Sequence, residues 1–441
     1  MQSHRHQSLE EINQSVAVPD VHQTAFWRKF LAYSGPGALV AVGYMDPGNW
    51  LTSLAGGGQF QYRLLTVLAL AIIVAMFMQD LAIKLGVVAR QDLAQAIASK
   101  LPRPVRYAAW LLNEVAMMAT DMTGVIGTAI ALKMLFGLPL LVGILLTIAD
   151  VLVVLLFLRF GIRRVEVIVL LAILTVGIIF GIEVGRAHVQ FGHVLLGLVP
   201  TPLIIKNHTA LVLSLGILGA TIMPHNLYLH SSLAQSRRYD YHDPAQVTEA
   251  LRFANWDSTV HLIAAFLINA LLLILGGTLF FGHTTALASL QAVFDGLKNT
   301  AVVGILASPV MSWLFALALL ITGLISSITS TLAGQIVMEG YLHIRLPLWQ
   351  RRLLTRAVTL IPILIIGAIV GFSDAAFENL IIYAQVALSI ALPFTLLPLV
   401  ALTNDAKLMK THVNRAIVTW LGYGLAGIIT ILNIYLVYSL F

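Results

Sequence analysis

Long apolar stretches separated by short polar turns make up the chain from Leu31 to its end. They recur at about 33–58, 64–87, 107–132, 138–158, 164–184, 208–235, 256–281, 303–341, 353–372, 377–403 and 416–440, and a helix needs roughly 20 such residues to cross a hydrocarbon core. The pattern predicts an all-α polytopic membrane protein of about eleven spans, with residues 31–441 as one transmembrane domain. Residues 1–30 are polar, of mixed charge, and lack the apolar core of a signal peptide, so they read as a mobile cytosolic tail.

Two spans are interrupted. Span 1 carries Asp46-Pro47-Gly48-Asn49 at its centre, where proline removes a backbone donor and glycine adds no helical preference, so the helix is expected to open there. Span 6 is broken by Gly219, Pro224 and the polar pair His225 and Asn226. Open backbone at membrane depth survives only where it is buried or lines a cavity, and an intramembrane carboxylate such as Asp46 marks a functional site. The breaks lie five spans apart, and an odd-membered repeat inserts its second copy upside down. Paired breaks of this kind point to a secondary transporter with its site at the midplane. The expected repeats cover about 31–185 and 205–405, with an added helix at 416–440.

Charge supports the span count. Only 10% of residues are charged, 59% are hydrophobic and the mean hydropathy is +0.90, which excludes a soluble globular protein. With the N-terminus inside, 21 of the 26 basic residues fall in cytoplasmic segments, and only Arg63, Lys133, Arg186, Lys206 and Lys298 fall outside. The net charge of +6 is therefore a topology signal, not a nucleic-acid footprint. An odd number of spans puts the C-terminus outside. The chain has no cysteine, which excludes thiolate metal sites and disulfides.

If the two breaks face each other, they offer the Asp46 carboxylate, the Asn49 side-chain oxygen, the Met223 thioether and freed carbonyls such as that of Ala220. Oxygen donors suit any divalent cation, whereas a thioether gives little to calcium or magnesium. The mixture favours a first-row transition ion. These residues resemble the NRAMP divalent-metal transporters, and specifically their bacterial proton-dependent manganese members. The resemblance rests on DPGN at Asp46–Asn49, MPHNLYLHS from Met223 to Ser231, ATD at Ala119–Asp121, AGQIVMEG from Ala333 to Gly340 and LPLWQRR ending at Arg352. It implies a LeuT-like fold of two inverted five-span repeats that carries manganese or ferrous iron inward with protons. By the same resemblance the ligands are Asp46, Asn49, Met223 and the Ala220 carbonyl, joined by Gln385 in span 10.

Other ionisable residues inside spans are candidates for proton relay: Glu114 and Asp121, Asp150, His225, His230 and Asp257. His225, beside the proposed metal site, is the natural switch near neutral pH. His230 lies five residues after it, a turn of roughly 140° on a regular helix, so it does not share the metal and either lines a pathway below the site or satisfies a neighbouring carbonyl. The resemblance pairs Asp121 with Arg352 as a route toward the cytoplasm. The sequence departs from the family at Gly124, where relatives carry an acidic residue, at Gly323-Leu324, where relatives carry a glycine-glutamine pair, and at Ala391, where relatives often have glutamine. Metal selection should survive these changes, with proton coupling weakened.

A second reading, a sodium-coupled carrier of amino acids or other organic solutes on the same architecture, meets an obstacle. Such carriers hold the substrate carboxylate at a half-helix N-terminus, where Asp46 would repel it. No hydrolase or phosphate-binding motif supports an enzyme. The sequence thus reads as a monomeric multi-pass protein of a bacterial inner membrane, with the lipid bilayer as its surroundings, a divalent metal ion and the proton as its substrates, and no resident cofactor.

Overall fold

A computed structural model describes residues 8–19, 25–149, 156, 161–282, 289–344 and 347–440, apart from the side chains of residues 348, 351, 352, 439 and 440. Asp150, one of the relay candidates, lies outside the described residues. Among the described residues, nine helices are long and apolar enough to cross a membrane. The count of eleven is not reached because span 1 is divided into halves of 8 and 14 residues, and span 4 is described only as the short apolar helix Leu140–Ala149.

Span 1 consists of Pro36–Gly43 and Pro47–Phe60, and span 6 of His208–Thr221 and Pro224–Leu233. The opening in span 1 is therefore Tyr44–Asp46, just ahead of the Pro-Gly pair that was expected to form it. The reason is positional: proline in the first turn of a helix loses nothing, because that N–H has no intrahelical partner. Pro47 and Pro224 each start a half-helix, and Asp46 and Met223 each stand in extended backbone just before it. Span 10 is also jointed, as Asp374–Ala391 and Pro393–Thr403 about Leu392, a break that its apolar sequence hid.

The helices sort into two groups. Span 3 (Arg103–Phe136) and span 8 (Pro309–Leu342) share the most extensive interface, while spans 1 and 6 and span 2 (Leu65–Ala89) pack chiefly around span 7 (Pro244–Leu279) and one another. The N-terminal region departs from the expected mobile tail. Val16–Ala17 (β1) pairs in parallel with Arg237–Arg238 (β2), at the end of span 6, and Leu9 is 5% exposed. Phe26–Tyr33 is a helix whose Tyr33 stacks on Phe253 of span 7.

Candidate metal site

Proline shapes the site from the backbone up. In a helix the carbonyl of residue 220 would accept from the N–H of residue 224, and Pro224 has none, so the Ala220 carbonyl is freed. The span 1 opening is treated differently. Its Tyr44 carbonyl accepts from Asn269 Nδ2 at 2.6 Å, and its Met45 carbonyl from the Trp50 indole at 3.1 Å. Both carbonyls are committed to the protein, which leaves the side chain of Asp46 as the donor from this break.

Asp46 is fully buried. Its Oδ1 accepts from the Asn49 backbone N–H at 2.9 Å and from Asn49 Nδ2 at 2.7 Å. Its Oδ2 accepts from Thr123 Oγ1 at 3.2 Å and Gln385 Nε2 at 3.3 Å. Gly48 is what lets Gln385 in, since a Cβ there would lie 2.0 Å from Gln385 Nε2. The structure thus gathers Asp46, Asn49 and Gln385 about one carboxylate. Ala220 and Met223 are buried in the other break.

Span 3 ties the two breaks together. Thr123 reaches Asp46, and Thr120, three residues earlier and so on the same helix face, meets His225 Nδ1 at 3.2 Å. These threonines were not singled out in the sequence. The available signal was a pair of hydroxyls spaced i, i+3 around Asp121 in an apolar helix. Gln385 Oε1 and His225 Nε2 are buried without a hydrogen-bond partner among the described residues. An unused carbonyl oxygen beside a buried carboxylate suits a cation. Among the described residues no three His, Asp or Glu side chains converge. One carboxylate with neutral oxygen and sulfur donors fits a cation that must leave again, and lacks the His, Cys and carboxylate set of a permanent zinc site.

His230 lies off the site. Its Nδ1 meets Gln79 Oε1 at 2.8 Å, and Gln79 Nε2 donates to the Tyr44 hydroxyl at 2.8 Å. Gln79 and Tyr44, also absent from the sequence reading, connect His230 to the span 1 opening. Asp121 accepts from Ser330 Oγ at 3.0 Å and pairs with Arg356 at 3.2 Å. The resemblance offers Arg352 for this pairing. Arg356, one helical turn further into span 9 (Leu348–Val370) and 2% exposed, is the guanidinium that reaches Asp121, and it also donates to Ser327 Oγ. The side chain of Arg352 lies outside the described residues. Glu114 is half-buried two turns before Asp121 on span 3. Asp257 caps the start of span 1, accepting from Gly35 and Gly37 N–H at 3.1 and 2.7 Å.

Known proteins share this architecture. The chain is 47% identical over 430 residues to a divalent metal cation transporter MntH of Lacticaseibacillus casei, covering 98% of this chain and 93% of that one. A crystal structure of the Eremococcus coleocola manganese transporter superposes with a TM-score of 0.94 at 43% identity, over 98% of this chain and 91% of that one. Mhp1, a nucleobase-cation-symport-1 family transporter, matches at 14% identity with a TM-score of 0.53 over 97% of this chain and 94% of its own, a likeness of fold alone. The model of the natural resistance-associated macrophage protein-like (Nramp) family matches residues 37–439. With nearly the whole chain matched and the paired breaks in place, this protein belongs to the Nramp family.

Proposed function

We propose that this chain is a secondary transporter that imports divalent transition-metal ions, manganese and ferrous iron, by alternating access. The observation that carries the reading is the buried Asp46 carboxylate at the span 1 break, surrounded by amides that can turn their oxygens toward a cation. Asp46, Asn49, the Ala220 carbonyl, Met223 and Gln385 are the ligands. Met223 supplies the soft donor that penalises calcium and magnesium. The relatives' printed names, a divalent metal cation transporter and a manganese transporter, support the cargo.

Protons travel with the metal by way of His225 and of Asp121 with Arg356, and Glu114 extends this line toward the basic end of span 3. Gly124, which carries no titratable group, makes that coupling weak. By the distribution of basic residues the N-terminus is cytoplasmic and the C-terminus external, in a bacterial inner membrane, with a monomer as the working unit. An organic-solute carrier is disfavoured by the carboxylate that would face its substrate's own.

The test is radioactive manganese uptake into proteoliposomes, comparing wild type with Asp46→Ala. The reading requires wild-type uptake that competing manganese saturates and the variant lacks. Substantial retained uptake in Asp46→Ala moves the ion elsewhere.

A further inference from the structure

We propose that residues 8–17 are a latch: the chain's own N-terminal segment docks in a socket on the cytoplasmic face, bridges the two helix groups, and holds the inward route shut. The proposal rests on the orientation and alternating-access reading above.

The segment is anchored on both groups. On the span 6 side, Gln14 N–H donates to the Gln235 carbonyl at 3.1 Å, Arg238 Nε donates back to the Gln14 carbonyl at 3.2 Å, and β1 lies in register on β2 with Val16 opposite Arg237. On the span 8 side, Leu9 N–H donates to Glu339 Oε2 at 3.0 Å. Ser8 Oγ accepts from Gln95 Nε2 at 3.2 Å, and Gln95 belongs to the helix Leu93–Lys100, which packs on span 8. Apolar contacts do the rest: Leu9 sits in the main core, with Ile12 and Val16 packed against it. A segment that is only a polar tail has no reason to bury Ser8 and Leu9 at 2% and 5% exposure.

The mechanical consequence follows from the grouping of helices. Alternating access moves one group against the other about the central site. A strap bonded to the end of span 6 and to the end of span 8 cannot keep both sets of contacts while those ends separate. Arg237 adds to the closure, because its backbone holds the strap while its side chain pairs with Glu166 of span 5 (Ile162–Arg186) at 2.7 Å and donates to the Ser34 carbonyl at the start of span 1. Opening therefore requires the strap to leave at least one side.

Because the chain has no cysteine, single cysteines can read both events by labelling with an impermeant thiol reagent. Ser8→Cys reports release of the strap, and Thr331→Cys, buried in span 8, reports opening of the cytoplasmic route. The assay contains no metal, so its failure is separate from failure of the transport reading. In full-length protein carrying Leu9→Asp, both labelling rates should rise by about tenfold or more, the shift expected for losing one buried leucine. Leu9→Met, unbranched at Cβ and so compatible with the φ of 50° at this position, should keep labelling slow. A second tether guards against gross misfolding. Ala17 and Arg238 are direct partners in register, and neighbouring strands stand about 4.7–4.9 Å apart, within disulfide range. Oxidising Ala17→Cys with Arg238→Cys in the Leu9→Asp background should slow Thr331→Cys labelling again, by raising the strap's local concentration. If Ser8→Cys becomes reactive while Thr331→Cys does not, the strap is no latch. If neither responds, Leu9 is not its anchor and the proposal fails as well.

Discussion

Two buried aspartates cap the two halves of span 1, and they are held in different ways. Asp257, reaching over from span 7, accepts two backbone N–H groups at the first half and pairs with His261 Nδ1 at 2.9 Å. The chain enters that cap through Gly35 at φ +140°, a conformation that side-chain-bearing residues rarely adopt. Asp46, at the second half, accepts only one backbone N–H, and its other donors are two amides and a hydroxyl. A backbone donor in a helix cannot turn away. An amide can, and on turning it presents an oxygen in place of its NH2. A carboxylate gripped by backbone is a fastener, whereas one gripped by reversible amides has the freedom that the proposed site needs.

The largest expected effect separates the two directly. Asp46→Ala should lower manganese uptake by more than about 100-fold, since even partners one shell removed from a metal are worth about 10–100-fold. Its unfolding temperature in detergent should fall less than that of Asp257→Ala, because it unpairs one backbone N–H instead of two. Asp257→Ala should do the reverse. Losing the cap leaves two buried N–H groups unpaired and costs about 3–6 kcal/mol, at about 1.5–3 kcal/mol per hydrogen bond to a charged group. It is read as a fall in unfolding temperature, with uptake retained per folded molecule. Were Asp257→Ala to keep its melting temperature and lose transport, the assignment of fastener and site would have to be exchanged.

The same contrast explains what the sequence disclosed. Proline and glycine inside an apolar run announce that a helix breaks, so both broken spans were legible, and so was the placing of Asp46, Asn49, Met223 and Ala220 at those breaks. Which side of the proline opens was not legible. Pro47 reads as a breaker in one dimension, but once Asp46 caps the turn it is the first residue of a new helix. Contacts between distant segments were beyond reach for another reason. Nothing near Asp121 says that Arg356, 235 positions away, meets it, and nothing in Leu9, Ile12 and Val16 says that Glu339 and Gln235 wait for them. The capping role of Asp257 was hidden because an acidic side chain in an apolar helix carries no label for its partners. Its two backbone donors are 220 and 222 positions away.

A smaller effect sharpens the comparison at the other break. Met223 stands where Asp46 stands, in extended backbone just before a proline-led half-helix, but it is neutral and soft. Met223→Ala should therefore leave part of manganese uptake intact while admitting calcium or magnesium, because the thioether is the one ligand that hard ions cannot use well. The measurement is manganese uptake with excess calcium present. Discrimination that is the same in variant and wild type would show that the carboxylate and carbonyls select the ion unaided.

The smallest expected effect tests a third carboxylate placed where neither kind of grip exists. The nearest atoms to a Cβ at Gly124 would be the Gly323 carbonyl oxygen at 3.5 Å and Ser326 Oγ and Cβ at 3.7 and 3.8 Å, all ordinary contacts, so Gly124→Glu can start its side chain without displacing a neighbour. Ser326 Oγ is buried and has no partner among the described residues, so it is free to bond the new carboxyl. The position lies one residue after Thr123, which bonds Asp46, and three after Asp121, which pairs with Arg356. A relay needs titratable groups within hydrogen-bond reach or one water apart, and Gly124 leaves about 4.5 Å of helix rise between Thr123's neighbour and Asp121 without one. Wild-type manganese uptake should accordingly respond weakly to an imposed pH gradient, and Gly124→Glu should increase that response severalfold without changing the saturating manganese concentration much. Both are measured in one proteoliposome assay with a pH dye in the lumen. Strict, saturable, manganese-driven acidification by the wild-type protein would mean that water or Ser326 already bridges the gap, and it would remove the coupling argument while leaving Asp46 as the metal ligand.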